Sequence, residues 1–350
     1  MSFRFLLSPF SLLWGLVAEV RGKLFDWGVL PSRAFPLPVI CVGNLAVGGT
    51  GKTPHVEYLL RLLHREGYRV AMLSRGYGRR TRGYLLAAGG HTAADIGDEP
   101  LQVKRNCPFA TVAVCERRVE GIGRLLRLPE PPQVVVLDDA YQHRYVRPGF
   151  SVLLTAASRP YTADHLLPWG RLRERPHAAR RAQAVVVTKC APGQRPPVPV
   201  GPGQSLFYSR IAYLPLQLWD GQQGEAKATG VEGQTPLLLT AIAHPEPLRD
   251  HLLLRGAARV ESLAFPDHHA FSPRDIERIH SAFARLRPDR VVTTQKDAMR
   301  LQAVEPQLRP DFLARLCVQP IGVEIEPAGT SQRTFNQTIL QYVESHTANR

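Results

Sequence analysis

The stretch from Val39 to Pro54, VICVGNLAVGGTGKTP, constrains the fold more than any other part of the chain. An apolar run, Val39 to Val42, reads as a buried strand. A glycine-rich turn follows, then Lys52-Thr53, then an amphipathic pattern from His55 to Arg65. Strand, glycine loop and helix in that order is the setting of a phosphate-binding loop. Such a loop folds the backbone of Ala46, Val47, Gly48, Gly49, Thr50, Gly51, Lys52 and Thr53 around phosphate oxygens. Lys52 then brings charge to the β- and γ-phosphates, and Thr53 a hydroxyl to a magnesium ion. The helix N-terminus behind them adds partial positive charge. The strict pattern asks for Gly six residues before the lysine, where this chain has Ala46. A nucleoside triphosphate site is the expectation.

Gln133-Val-Val-Val-Leu-Asp-Asp139 is the second strong feature. Four apolar residues, three of them β-branched, make a buried parallel strand that ends in acid. In a phosphate-loop protein an acid at that strand end holds magnesium, which makes Asp138 and Asp139 metal candidates beside Thr53. Tyr68 to Leu73 predicts another strand, followed by Ser74-Arg-Gly-Tyr-Gly78 at the end where ligands sit in open α/β sheets. Ile96-Gly-Asp-Glu-Pro100 places two acids at a helix start, where an N-cap role competes with a chemical one. Leu166 to Glu174 predicts a basic loop turning into a helix. Thr188-Lys189 partly matches a guanine-reading T-K-x-D, but Ala191 stands at the Asp position and weakens a GTPase reading.

A second strand-helix alternation starts at Thr235 and carries no phosphate loop. It predicts a further parallel sheet covered by helices, suited to gripping a second substrate. Phe265-Pro-Asp-His-His-Ala-Phe271 follows one of its strands. Adjacent His268 and His269 point apart and make poor joint metal ligands, so acid/base chemistry is the better reading.

Forty-four Lys and Arg against thirty Asp and Glu leave +14, a balance that favours anionic partners. The five cysteines are scattered without a C-x-x-C pair, which argues against a disulfide framework or zinc ribbon and for a reducing cytosol. Near the start, Phe10 to Phe25 predicts an amphipathic helix ending in Arg21 and Lys23, fit for an anionic membrane surface or for packing on the protein's own core. A nucleotide-dependent nucleic-acid-binding or switch protein is the competing class. The chain lacks a complete base-reading motif, an RNA-binding aromatic signature or a DNA-binding helix pair, so no nucleic acid partner is expected.

Seven ordered blocks resemble the tetraacyldisaccharide 4'-kinase (lipid A 4'-kinase) family: GNLAVGGTGKTPHV (43–56), LSRGYGR (73–79), GDEP (97–100), DDAYQHR (138–144), LPWGRLRE (167–174), FPDHH (265–269) and TTQKDAMRL (293–301). The resemblance implies transfer of the ATP γ-phosphate to the 4'-hydroxyl of a tetraacylated glucosamine disaccharide 1-phosphate, with ATP and Mg2+ as cofactors. It implies a lipid A disaccharide precursor as partner and the cytoplasmic face of the bacterial inner membrane as location. The implied fold is α/β: a P-loop NTPase-like α/β/α domain plus a second, smaller α/β/α domain, joined by a two-stranded linker. On this chain that gives an N-terminal helix within 1–25 and a kinase domain over 26–205. A helix within 326–350 returns to the kinase domain, and 206–325 forms the second domain with linker strands Leu206–Leu218 and Leu316–Glu324. The resemblance also implies Asp98 as the base for the sugar hydroxyl, paired with His268 in preference to His269. Arg118, Arg173 and Glu174 match family positions near the phosphates or metal, and Lys52 completes the implied catalytic set. Ala140-Tyr141, Gln295 and Ala241 depart from the family pattern without removing a chemical group.

Overall fold

The computed structural model describes residues 7–219, 228–267, 269–329 and 332–348. Two sheets organise them. The larger contains β1 (Val39–Asn44), β2 (Val70–Ser74), β3 (Leu85–Leu86), β4 (Thr111–Val114), β5 (Val134–Asp138), β6 (Phe150–Ala156), β7 (Ala184–Thr188) and β8 (Ser205–Tyr213). The smaller contains β9 (Gln217–Leu218), β10 (Leu237–Thr240), β11 (Glu261–Ala264), β12 (Val291–Thr294) and β13 (Leu316–Gln319). A last strand, β14 (Ile321–Pro327), returns to the larger sheet.

The nine-stranded order is β14-β8-β7-β6-β1-β5-β2-β4-β3, parallel from β8 through β4 with an antiparallel strand at each edge. The helices are α1 (Ser8–Asp26), α2 (Lys52–Arg65), α3 (Ala93–Ile96), α4 (Asp98–Asn106), α5 (Arg118–Leu125), α6 (Glu246–Leu254), α7 (Pro273–Leu286), α8 (Gln295–Leu301), α9 (Pro310–Leu313) and α10 (Phe335–Ala348).

The period-two geometry of β5 explains why the central strands are apolar throughout. Val134 and Val136 pack with Leu59 and Leu63 of α2, Val103 of α4 and Ile339 of α10. Val135 and Leu137 face the opposite side, among Ile122 and Leu125 of α5 and Ala178. Helices therefore cover both faces of the large sheet, and the fold is α/β as expected. In the small sheet (β11-β10-β12-β13-β9), Leu237 and Leu239 pack on Ile276, Ile279 and Phe283 of α7. Leu238 packs on Leu248 and Leu252 of α6.

The chain passes between sheets twice. β8 leads through Leu214–Leu216 to β9, and β13 leads through Pro320 to β14. β8 and β14 pair antiparallel from Ile321↔Tyr213 to Pro327↔Phe207. The single strand expected over Leu316–Glu324 is therefore two strands in different sheets, divided where proline removes a backbone donor. The helix expected after Leu166–Glu174 is a 3-10 turn, Pro176–Arg181. The segment before it is drawn into loop pairing, with Leu172 bridging both Ala46 and Leu166.

α1 packs in an unusual sense. Ser11, Gly15 and Phe25 are its buried residues, whereas Phe10, Leu12, Leu13, Trp14, Leu16, Val17 and Val20 are exposed. Ser11 Oγ donates to Leu166 O at 3.1 Å, Trp14 Nε1 to Arg173 O at 3.0 Å, and Arg144 Nη1 to Gly22 O at 2.8 Å. Gly15 allows the close approach, since a Cβ there would lie 2.5 Å from Leu166 Cδ1. No helix among the described residues is long and apolar enough to cross a membrane.

Candidate nucleotide and acceptor site

The phosphate loop leaves the C-terminal end of β1, a central strand, and closes into α2. Gly48 at φ 109° and Gly51 at φ 82° supply left-handed turns that other residues adopt only with strain. Lys52 and Thr53 open α2, beside amides that no helical carbonyl can satisfy. Asn44 Nδ2 donates to Thr50 Oγ1 at 2.8 Å, and Thr188 Oγ1 donates to Thr50 O at 2.9 Å. The other end is pinned by Val47 N–H on Arg171 O at 2.8 Å and Arg173 N–H on Leu45 O at 2.7 Å. Ala46 belongs to this bridged segment. Buried His55 closes the back of the loop, with Nδ1 2.7 Å from Gly51 O and Nε2 2.9 Å from Ser209 Oγ on β8. The carbonyl can only accept, so Nδ1 carries the proton and Nε2 accepts from the serine hydroxyl.

β5 delivers Asp138 and Asp139 next to this loop. Asp138 is 1 % exposed. Its Oδ2 accepts from Ser74 Oγ at 3.2 Å, and its Oδ1 is buried without a hydrogen-bond partner. Burial foremost, then the charges of Glu99 and Asp139, push its carboxyl up to about 7. Asp139 occupies a left-handed backbone conformation, φ 46°, which costs a non-glycine residue about 1–3 kcal/mol and persists only where surrounding structure holds it. Its carboxylate lies 3.7 Å from Lys52 Nζ and 3.2 Å from Arg173 Nη1. Arg118 is buried nearby, donating from Nη1 to Cys115 O and Glu116 O, each at 3.3 Å. Burial pulls its pKa down, and Asp138 and Asp139 oppose that.

A divalent cation fits this donor set. The orphaned Asp138 Oδ1, its raised pKa and the adjacent Asp139 all favour added positive charge. Among the described residues no group of three or more His, Cys, Asp or Glu side chains could hold a metal alone. Magnesium in phosphoryl-transfer sites takes one or two carboxylates, with waters and substrate phosphates completing its octahedron.

The second cluster stands at the start of α4. Asp98 Oδ1 accepts from Glu99 N–H at 3.0 Å, and Oδ2 accepts from Arg300 Nη2 at 2.6 Å. Glu99 Oε1 pairs with Lys296 Nζ at 3.0 Å. Both cations come from α8, in the small-sheet lobe. His268 lies outside the described residues. His269 Nε2 is 2.9 Å from Asp275 Oδ2, within the capping box of α7. Glu174 pairs with Arg181 Nη2 at 2.7 Å, and that guanidinium covers the Tyr141 ring.

Sequence reasoning passed over Lys189 and Arg300. Lys189 has φ 58°, and its Nζ comes within 3.8 Å of where a Cβ on Gly49 would stand. Desolvation lowers its pKa, and Asp267 from the small-sheet lobe opposes that. The Thr188-Lys189 pair was its only signal in the sequence. Arg300 lay within the TTQKDAMRL block, without a chemical pattern of its own.

The family model for LpxK, tetraacyldisaccharide-1-P 4'-kinase, matches residues 3–343. The chain belongs to that family. It is 44% identical to a tetraacyldisaccharide 4'-kinase of Bacteroides thetaiotaomicron over 365 residues, covering 98% of this chain and 94% of the relative. It is 40% identical to the Flavobacterium johnsoniae tetraacyldisaccharide 4'-kinase, covering 98% of each. The crystal structure of an "apo" form of LpxK from Aquifex aeolicus in complex with ATP superposes with TM-score 0.77 at 27% identity, over 99% of both chains. The kinase family and the α/β fold thus agree with what the ordered blocks implied.

Proposed function

We propose that this kinase transfers the γ-phosphate of ATP to the 4'-hydroxyl of a tetraacylated glucosamine disaccharide 1-phosphate, a lipid A precursor. The observation that carries this reading is the meeting of Asp138, Asp139 and Lys52 at the mouth of a phosphate loop, with the acidic start of α4 close enough for Glu99 to raise the Asp138 pKa. In the reaction, the acceptor oxygen bonds to the γ-phosphorus as the bond to the β-phosphate oxygen breaks. ADP leaves with that electron pair, and the hydroxyl proton passes to the Asp98 carboxylate. The amides of residues 46–53 and the Lys52 ammonium hold the phosphates in line, and Arg118 and Arg173 balance the oxygens that carry transition-state charge. Thr53, Asp138 and Asp139 would hold Mg2+, which would supply charge neutralisation at the phosphates. His268 belongs to the proposed set as the partner of Asp98, and Glu174 as a residue near the phosphates.

The proposed division of the chain is an N-terminal helix within 1–25, a kinase domain over 26–205 joined by a helix within 326–350, and a second domain over 206–325. The first helix would seat the enzyme on the anionic cytoplasmic face of the inner membrane. The outward apolar side chains of α1 support this, because a core-packed helix would turn them inward. The experiment is incubation with ATP, Mg2+ and the tetraacyl disaccharide 1-phosphate in detergent micelles, following phosphate on the 4'-oxygen. Absence of transfer in micelles that present the acceptor would sink the reading.

A further inference from the structure

We infer that Arg300 is a positioning residue for the reaction, a guanidinium supplied by the small-sheet lobe that fixes the Asp98 carboxylate of the large-sheet lobe. The inference rests on the proposed role of Asp98 as base. Arg300 is anchored at both ends. Within its own lobe Nη1 donates to Asp297 Oδ1 at 3.0 Å and to Ala241 O at 3.3 Å. Asp297 is fully buried and held by Thr294 Oγ1 at 2.8 Å and by Ala241 N–H at 3.0 Å. Across the lobe boundary Nη2 reaches Asp98 Oδ2 at 2.6 Å, with the two side chains 10% and 15% exposed.

This geometry differs from an ordinary surface ion pair. The guanidinium is locked by a buried carboxylate before it meets Asp98, so little side-chain entropy is lost on pairing. The bond also fixes Asp98 together with the Glu99 N–H that Oδ1 accepts. Two neighbouring contacts, Lys296 to Glu99 at 3.0 Å and Gln295 Nε2 to Asn106 Oδ1 at 3.0 Å, join the same helices. They hold α8 to α4 without touching Asp98 and so provide an internal control.

Steady-state kinetics with Mg-ATP and the acceptor in micelles, alongside nucleotide affinity, test the assignment. Arg300→Gln should lower kcat by about 100-fold, the scale of a misplaced catalytic group, with ATP affinity within about threefold. Arg300→Lys keeps the charge without the fork and should lose about tenfold in kcat at unchanged melting temperature. Lys296→Met should stay within about threefold of wild type, because this half-buried pair joins α8 to α4 without bonding Asp98. Wild-type kcat in Arg300→Lys overturns the inference even if Arg300→Gln fails to fold. An equal loss in Lys296→Met overturns it too, because Arg300 would then serve only as a lobe contact. Asp98→Asn separates the two levels. If it is inactive while Arg300→Gln turns over normally, the base assignment stands and the inference falls. If Asp98→Asn itself turns over normally, both fall.

Discussion

Asp139 and Asp98 are both partly enclosed carboxylates set against cations, but the cations have different origins. Asp139 faces Lys52 and Arg173, which belong to the same lobe and reach it through the phosphate loop and the basic loop pinned to that loop. Asp98 meets Arg300 only because α8 of the other lobe packs on α4. The carboxylate proposed for the nucleotide half thus meets its cations within one lobe, whereas the one proposed for the acceptor half meets Arg300 where two lobes touch. Substitutions should therefore separate binding from turnover.

The largest effects test that separation. Lys52→Ala removes the cation proposed to face the β- and γ-phosphates, and should lower kcat/KM by about 10³-fold or more, on the order expected for losing a transition-state cation, with weakened ATP binding. Asp98→Ala should lower kcat by about 10²–10⁴-fold, the range of general-base catalysis, while ATP affinity stays near wild type. Isothermal titration with a non-hydrolysable ATP analogue distinguishes them. Matching losses of affinity in both variants would erase the proposed contrast. Asp138→Asn should occupy the middle ground: nucleotide still binds, but the rise in melting temperature that Mg2+ adds to nucleotide disappears. An undiminished Mg2+ effect in that variant would place the metal elsewhere.

The same contrast decides what the sequence made legible. The nucleotide half is written in short spans whose chemistry is local. Val39–Thr53 contains its strand, turn and helix start, and Val134–Asp139 ends a buried strand in acid. The acceptor half depends on contacts between residues some two hundred positions apart, such as Arg300 and Asp98, and no spacing rule announces them. The left-handed conformations of Asp139 and Lys189 were equally silent, because non-glycine residues enter that region only where surrounding structure compels them. Leu316–Glu324 was read as one strand through Pro320, because where the chain passes from one sheet to the other depends on which strands each half joins. The amphipathic pattern of α1 was legible as a helix. Which side faces the protein was not, because Ser11 and Gly15 form the contact side through close backbone approach and not through apolar content.

That reversed packing gives the next prediction. Leu13 and Val17 are each about 60% exposed and lie one turn apart on α1. Burying two such side chains in a membrane interface contributes about 3 kcal/mol or more. Leu13→Asp combined with Val17→Asp should lower partitioning onto anionic phospholipid vesicles by about 100-fold. Turnover in detergent should stay within about twofold, because neither side chain supports the Arg173 contact that Trp14 makes. Undiminished sedimentation with vesicles would remove α1 as the docking element. A matching loss of activity in detergent would mean that the face communicates with the site.

The smallest effect tests how firmly the nucleotide half is built into its own lobe. His55 joins Gly51 of the phosphate loop to Ser209 on β8, the strand that leads toward the small sheet. Burial lowers its pKa from 6.5 to about 4, partly opposed by the hydrogen bond to Gly51. The unfolded chain takes up a proton below about 6.5, and the folded protein resists until about 4. The stability contributed by the neutral ring is therefore present above that upper value and lost as pH falls through the window. By linkage the loss reaches about 2 kcal/mol at pH 5, while neutral pH retains nearly all of it. His55→Gln should be less stable than wild type at pH 7.5, because one of two buried hydrogen bonds is broken, and the gap should narrow by about 2 kcal/mol at pH 5. His143 is shifted down in the same direction, but it is present in both proteins and cancels in the difference. Urea unfolding at the two pH values measures it. A gap that stays constant would mean that His55 titrates normally and that the back of the phosphate loop is open to water.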